Sequence, residues 1–218
     1  MTIHLEIALA SSPDSDTVNA AVAILHDSFA PDEGGGVTSE TFMSPTPGRT
    51  LITASHDGSM VGFARVDQYE TETGLLAWLA VADGARSMGI GRQLIDASTE
   101  QLSAAGATCM FVECRIDDYY APRRRFYERH DLTSASGGDY WLEGHSGSLI
   151  QYDLLYLSLN NDTTAEQIAA SATLVHTSGA GRRPHQLAAG LEWTLRNADD
   201  ARCCEHQRTT RVSPKANT

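Results

Sequence analysis

Residues 75–94 constrain this chain more than any other stretch. An apolar run, Leu75 to Ala82, passes through a short loop into Arg86-Ser87-Met88-Gly89-Ile90-Gly91 and then into Leu94, Ile95, Ser98 and Leu102 at helical spacing. The run predicts a strand, and Gly89-Ile90-Gly91 opens the helix. Glycine removes side chains where a ligand must approach backbone N–H groups, and those groups point outward at a helix N-terminus with partial positive charge. The segment reads as an anion cradle bracketed by Arg86 and Arg92, which can add charge-assisted hydrogen bonds to a pyrophosphate. Three readings are open. One is a plain strand-to-helix turn. Another is a dinucleotide site, with Gly89-x-Gly91 starting a partial G-x-G-x-x-G and Glu113 near the ribose-binding position, although Leu94 stands at the third glycine. The third is a cofactor with a pyrophosphate and a long flexible arm.

The rest of the body alternates strands and helices. His4 to Ala10 reads as a strand, and Asp14 or Asp16 caps a helix through Val18, Val22, Leu25 and Phe29 that Gly34-Gly35-Gly36 ends. Thr38 to Met43 forms a short helical turn. Thr50 to Ser55 and Met60 to Tyr69 make a hairpin about His56-Asp57-Gly58. Gly106 stops the cradle helix, Cys109 to Arg115 is a strand, and Ala121-Pro122 starts a helix running to about His130. Trp141 to Glu143 is a short strand and Leu149 to Leu159 the last long one. Beyond Asn160 the composition shifts to alanine, threonine, arginine and histidine. There Thr164 and Gln167 are spaced as a capping box before Ile168 to Val175, and Pro184 to about Arg196 is a second helical stretch. The last dozen residues are expected to lack fixed structure.

Ala121-Pro122-Arg123-Arg124-Arg125-Phe126-Tyr127-Glu128-Arg129-His130 places Phe126-Tyr127-Glu128 on the helix after the next strand. Leu79-Ala80-Val81, the R-x-x-G-x-G turn at residues 86–91 and Phe126-Tyr127-Glu128, in this order and separation, resemble the GNAT superfamily of acyl-CoA-dependent N-acyltransferases. The resemblance runs from about His4 to Leu159. It implies an α/β domain, residues 1–159, with a mixed, mostly antiparallel central sheet flanked by helices, followed by a C-terminal extension, residues 160–218. It also implies acetyl-CoA as co-substrate. The pantetheine arm would lie between two splayed strands on Leu79, Ala80 and Val81, and the pyrophosphate on Arg86, Ser87, Met88, Gly89, Ile90, Gly91 and Arg92. Tyr120 stands where many members carry an asparagine beside the arm. Asp131 and Leu132 stand where Gly-Phe often ends the helix.

Tyr127 matches the tyrosine that protonates the leaving thiolate in many members, a role suited to a phenol that stays protonated at neutral pH. The base that takes the amine's proton is not marked by the strand Leu75 to Ala82, which holds no acid or histidine. Glu70, Glu72, Glu113, Asp117, Asp118 and a water chain are candidates, with Glu113 preferred. Arg123-Arg124-Arg125 can grip a 3′-phosphate or be a solvated helix face. The expected function is direct transfer of an acetyl group from acetyl-CoA to a primary amine of a small molecule or peptide. The alternative is a non-catalytic acyl-CoA sensor or interaction module of the same fold.

With 28 acids against 16 lysines and arginines the net charge is −12, which repels a phosphate backbone and argues against nucleic acid as a partner. The four cysteines lack disulfide-framework spacing, and Cys203, Cys204 and His206 find no second pair at zinc-site spacing, so no metal is assigned. No run approaches the roughly 18 apolar residues needed to span a bilayer. Met1 to Ala10 lacks the basic region of a signal peptide. A cytoplasmic protein off the membrane is expected, with a homodimer as the candidate assembly.

Overall fold

The computed structural model describes residues 5–44, 47–69, 72–135, 140–143 and 149–178. The helical stretch read at Pro184 to Arg196, and Glu70, Cys203, Cys204 and His206, lie outside them.

In chain order the elements are β1 (Leu5–Ala10), α1 (Ser15–Ser28), α2 (Ser39–Phe42), β2 (Arg49–His56), β3 (Ser59–Tyr69) and β4 (Thr73–Val81). A single 3-10 turn, Asp83–Ala85, leads to α3 (Ile90–Ala104), then β5 (Cys109–Arg115), α4 (Ala121–Glu128), β6 (Thr133–Ser134), β7 (Tyr140–Glu143), β8 (Leu149–Ser158) and α5 (Ala165–Ser178). Local chemistry sets these boundaries. Asp14, rather than Asp16, caps α1 by accepting from the Thr17 N–H at 2.7 Å. Asp57 and Gly58 both have positive φ, as a tight hairpin turn requires. Thr164 and Gln167 form the reciprocal capping box at the start of α5. The two-residue β6 carries no alternating pattern of its own and was not expected.

The sheet has eight strands in the order β1-β2-β3-β4-β5-β8-β6, with β7 also on β8. Every pairing is antiparallel except β4 with β5, which α3 connects. On one face α3 and α4 pack Ile90, Leu94, Ile95, Leu102 and Tyr127 over Ile52, Ala64, Leu76, Met110 and Val112. On the other, α1 and α2 cover Leu51, Phe63 and Ala80, and α5 sets Ala172 and Val175 against Leu75, Phe111 and Leu154. Thr73 and Ser171 join α5 to β4 through a buried hydroxyl pair at 2.8 Å. This part of the extension therefore packs on the sheet.

Candidate functional site

The site begins where β4 and β5 part. They pair only at Thr73, Gly74 and Leu75, opposite Cys109, Met110 and Phe111. Beyond Leu75, β4 has no β5 partner, while β5 stays paired with β8 as far as Arg115. A bulge contributes to the splay. Trp78 faces Arg65 and Leu76 faces Val66, which leaves Ala77 as the extra residue. The Ala82 N–H donates to the Val61 carbonyl at 2.9 Å. Alternation along an antiparallel ladder then turns the main-chain groups of Ala80 and Trp78 toward β3, and those of Leu79 and Val81 toward the gap. Ala80 lines the cleft, but its amide and carbonyl belong to the ladder.

The gap opens into a cleft of about 1190 Å³ between the start of α3 and α4. Gly89 is the N-cap of α3 at φ 78°, and no side chain caps the helix, so its first N–H groups face the cleft unblocked. At Gly91 a Cβ would sit 3.0 Å from the Phe126 ring, so this glycine lets α3 and α4 approach closely. Ser87 also takes a positive φ, 66°, a strained conformation outside glycine. Met88 packs into the core beneath. Arg86 donates to the Val81 carbonyl at 3.2 Å and pairs with Asp83 at 2.7 Å. Arg92 and Asp96 are 3.6 Å apart on the helix surface.

Tyr127 lines the same cleft from α4. Its pKa is raised, first by burial and then by Cys114 and Glu33, with Arg123 opposing. The phenol is thus held protonated, and its hydroxyl makes no hydrogen bond among the described residues. Cys114 lies on the α4 side of β5, and burial pushes its thiol up to about 12. Tyr120 does not line the cleft. It is buried, and its hydroxyl accepts from the Ala30 N–H at 2.9 Å, so it ties the loop after α1 to the start of α4 rather than flanking a ligand arm. Arg123 joins this strap by donating to the Ser28 carbonyl. Arg124 is taken up by Glu128 and Asp153 at 2.9 and 2.7 Å, and only Arg125 of the basic run is exposed.

Glu113 points away from Tyr127. On β5 it alternates with Cys114, so it shares the face of Phe111, two residues past the last β4–β5 rung. It acts electrostatically on the Tyr69 hydroxyl, whose pKa is pushed up to about 12, first by burial and next by Asp67. Tyr127 and Glu113 therefore flank the mouth of the gap from opposite sides of the sheet. Of the other acids, Asp117 is bonded to Arg115 and the Tyr120 N–H, and the Glu72 carbonyl anchors Thr108 at the far end of β4.

Residues 20–131 match the Acetyltransferase (GNAT) family. The chain belongs to the GNAT acetyltransferase family. No curated protein matches its sequence. A GNAT-family structure from Desulfovibrio desulfuricans superposes with a TM-score of 0.58 at 21% identity, covering 72% of this chain and 100% of its own. The ribosomal-protein-S18-alanine N-acetyltransferase of Escherichia coli superposes at 0.56 and 19%, covering 72% and 99%. An aminoglycoside 6'-N-acetyltransferase complexed with coenzyme A superposes at 0.57 and 16%, with the same coverage. At these identities the likeness is one of fold.

At the end of α4 this chain keeps a left-handed turn while changing the residue that makes it. Asp131, where glycine is usual, takes φ 64°, and Leu132 is buried behind it, so α4 ends in the left-handed turn without glycine. Tyr120, where the resemblance leads to asparagine, is bonded instead to the Ala30 N–H. The strap of Ser28, Phe29, Tyr120 and Arg123 was not legible in the sequence, because its halves lie 95 residues apart at Ser28 and Arg123. The one local signal was that Arg123 stands four residues before Tyr127 and so shares its helix face.

Proposed function

We propose that this GNAT protein moves an acetyl group from acetyl-CoA directly to a primary amine of a small molecule or peptide. The observation that carries this reading is the gap beyond Leu75, with the main-chain groups of Leu79 and Val81 on its edge, the Gly89–Gly91 cradle above it and Tyr127 on the wall of the same cleft. The residues fit the co-substrate. The amides at Gly89, Ile90 and Gly91 can hold a diphosphate, and a side chain at Gly91 would press on Phe126. Arg86 and Arg92 add charge, and Leu79 and Val81 offer hydrogen bonds to an amide-bearing arm. Acetyl-CoA supplies an acyl carbon already activated as a thioester.

The chain's own residues do the rest. The gap holds amine and acyl carbon together, which reduces the entropic part of the barrier and needs no covalent enzyme intermediate. A main-chain N–H on the β4 edge stabilises charge developing on the acyl oxygen. Glu113, on the opposite face, takes the proton the amine must lose, and Tyr127 gives its proton to the departing sulfur. Placing base and acid on opposite sides of the sheet keeps the two proton transfers apart.

Thiol release from acetyl-CoA over a panel of amines tests the reading. Wild-type protein should turn over, and Tyr127→Phe should lower kcat about 100-fold or more with KM for acetyl-CoA little changed. Binding of acetyl-CoA without turnover across the panel would mark a sensor instead.

A further inference from the structure

Most of the arginines among the described residues of this acidic chain have a carboxylate partner. Among the described residues Arg49 and Arg65 share Asp67, Arg86 pairs with Asp83, Arg92 with Asp96, Arg115 with Asp32 and Asp117, and Arg124 with Glu128 and Asp153. Arg125 and Arg129 have none and are exposed. Arg123 has none either, yet it is half-buried on the cleft wall. Its guanidinium lies 3.9 Å from the centre of the Phe29 ring and 4.5 Å from that of Tyr120, a sandwich that fixes its direction. The Ser28 carbonyl it binds, at the end of α1, offers only partial negative charge. A full positive charge is thus built into the cleft without an ion-pair partner among the described residues.

Its neighbour on the same face of α4 is Tyr127. The titratable and charged groups that act on the Tyr127 phenol are Cys114 from β5, Glu33 from the loop after α1, and Arg123 from α4 itself. Glu33 opposes negative charge there, as Cys114 does only once its thiol ionises, and Arg123 alone favours it.

We infer that Arg123 supplies a fixed positive charge that stabilises the sulfur anion released beside Tyr127. The inference rests on the acyl-transfer reading of the same cleft. As the amine nitrogen bonds to the acyl carbon, the carbon–sulfur bond breaks and its electron pair goes to sulfur. The Tyr127 O–H proton then moves to that sulfur, and the phenolate regains a proton from solvent, to which Glu113 returns the one taken from the amine. Negative charge passes from sulfur to phenol oxygen, and the Arg123 guanidinium, held on the cleft wall by Phe29, Tyr120 and the Ser28 carbonyl, acts on both without reorganising. Arg123 is a positioning residue for this charge and does not exchange a proton.

The test is the pKa of the coenzyme A thiol bound to the full chain, followed by ultraviolet thiolate absorbance. The coenzyme-free protein is subtracted so that the protein's own cysteines cancel. Arg123→Met should raise the bound-thiol pKa by about one unit, a roughly tenfold loss of thiolate at a given pH. Arg123→Lys, which keeps the charge, should restore most of the difference. Phe29→Leu removes one plate of the sandwich and should give a smaller rise, and it replaces the methionine variant if that one does not fold. The inference is overturned if wild type and Arg123→Met bind coenzyme A with the same thiol pKa, if Arg123→Lys is as displaced as Arg123→Met, or if Phe29→Leu as the replacement leaves the value unmoved. If the wild-type chain gives no calorimetric signal with coenzyme A, the acyl-transfer reading itself fails and takes the inference with it.

Discussion

At φ 78° Gly89 occupies backbone space that an L side chain enters at a cost of about 1–2 kcal/mol. Gly89→Ala should lower stability by about that amount in urea denaturation and weaken coenzyme A binding, because strain relieved at the N-cap would turn the cradle amides. Cys114 and Tyr127 are among the buried groups that act on the alkaline side. Both are held protonated by burial, Cys114 with its thiol up to about 12, whereas the unfolded chain releases these protons near their ordinary values. The stability they contribute is therefore complete below about pH 9 and is lost as pH rises from there toward the folded values. Thermal melts from about pH 8 to about pH 11 should show a falling Tm, with a shallower fall in Cys114→Ala. Gly89 and Gly91 were legible as the start of α3, because an apolar-periodic stretch follows them, whereas Tyr127 was singled out only by the resemblance to the family pattern. Strained Ser87 and the aromatic seat of Arg123 were not legible, since one depends on backbone angles and the other on Phe29 across the fold.

Elements were read correctly at the Asp57-Gly58 turn and the Thr164–Gln167 box, and Asp14 is the cap of the two offered, whereas α1 stops at Ser28, short of Gly34-Gly35-Gly36. The other departures belong to tertiary contact. β6 exists because Thr133 and Ser134 meet Tyr156 and Leu155 of β8, a pairing that a two-residue segment cannot announce. The bulge at Ala77 leaves no mark in the apolar run of β4, yet it puts Ala77 and Trp78 on one face and so sends Leu79 and Val81 to the other. Beside it, Asp67 is fully buried between Arg49, at 2.6 Å, and Arg65, at 3.2 Å, and these arginines hold Ser44 and the Phe42 carbonyl. Asp67→Ala strands two buried cations and should cost about 3–5 kcal/mol by denaturant unfolding. The loop from α2 to β2 should loosen first, seen as faster amide exchange there.

Across the described residues, helical layers cover both faces of one sheet, and the gap between β4 and β5 opens into the cleft beside α3 and α4. The apolar face of α5 fills part of the second layer, against Phe111 and Leu154, so residues beyond Asn160 help build the body that holds the gap. The order of strands and helices was legible along the chain, and with it the fold class. The splay was expected only through the family resemblance and not from the residues themselves, because it follows from β8 keeping its grip on β5 while β4 turns away, a competition between distant segments. Every step of the proposed acyl transfer requires that this gap and the Gly89 cradle hold one coenzyme A. Isothermal titration of coenzyme A into the full chain measures that directly. Saturable binding at one site per chain, displaced by acetyl-CoA and weakened by Gly89→Ala, is the expected result, whereas folded protein that gives no heat would contradict it.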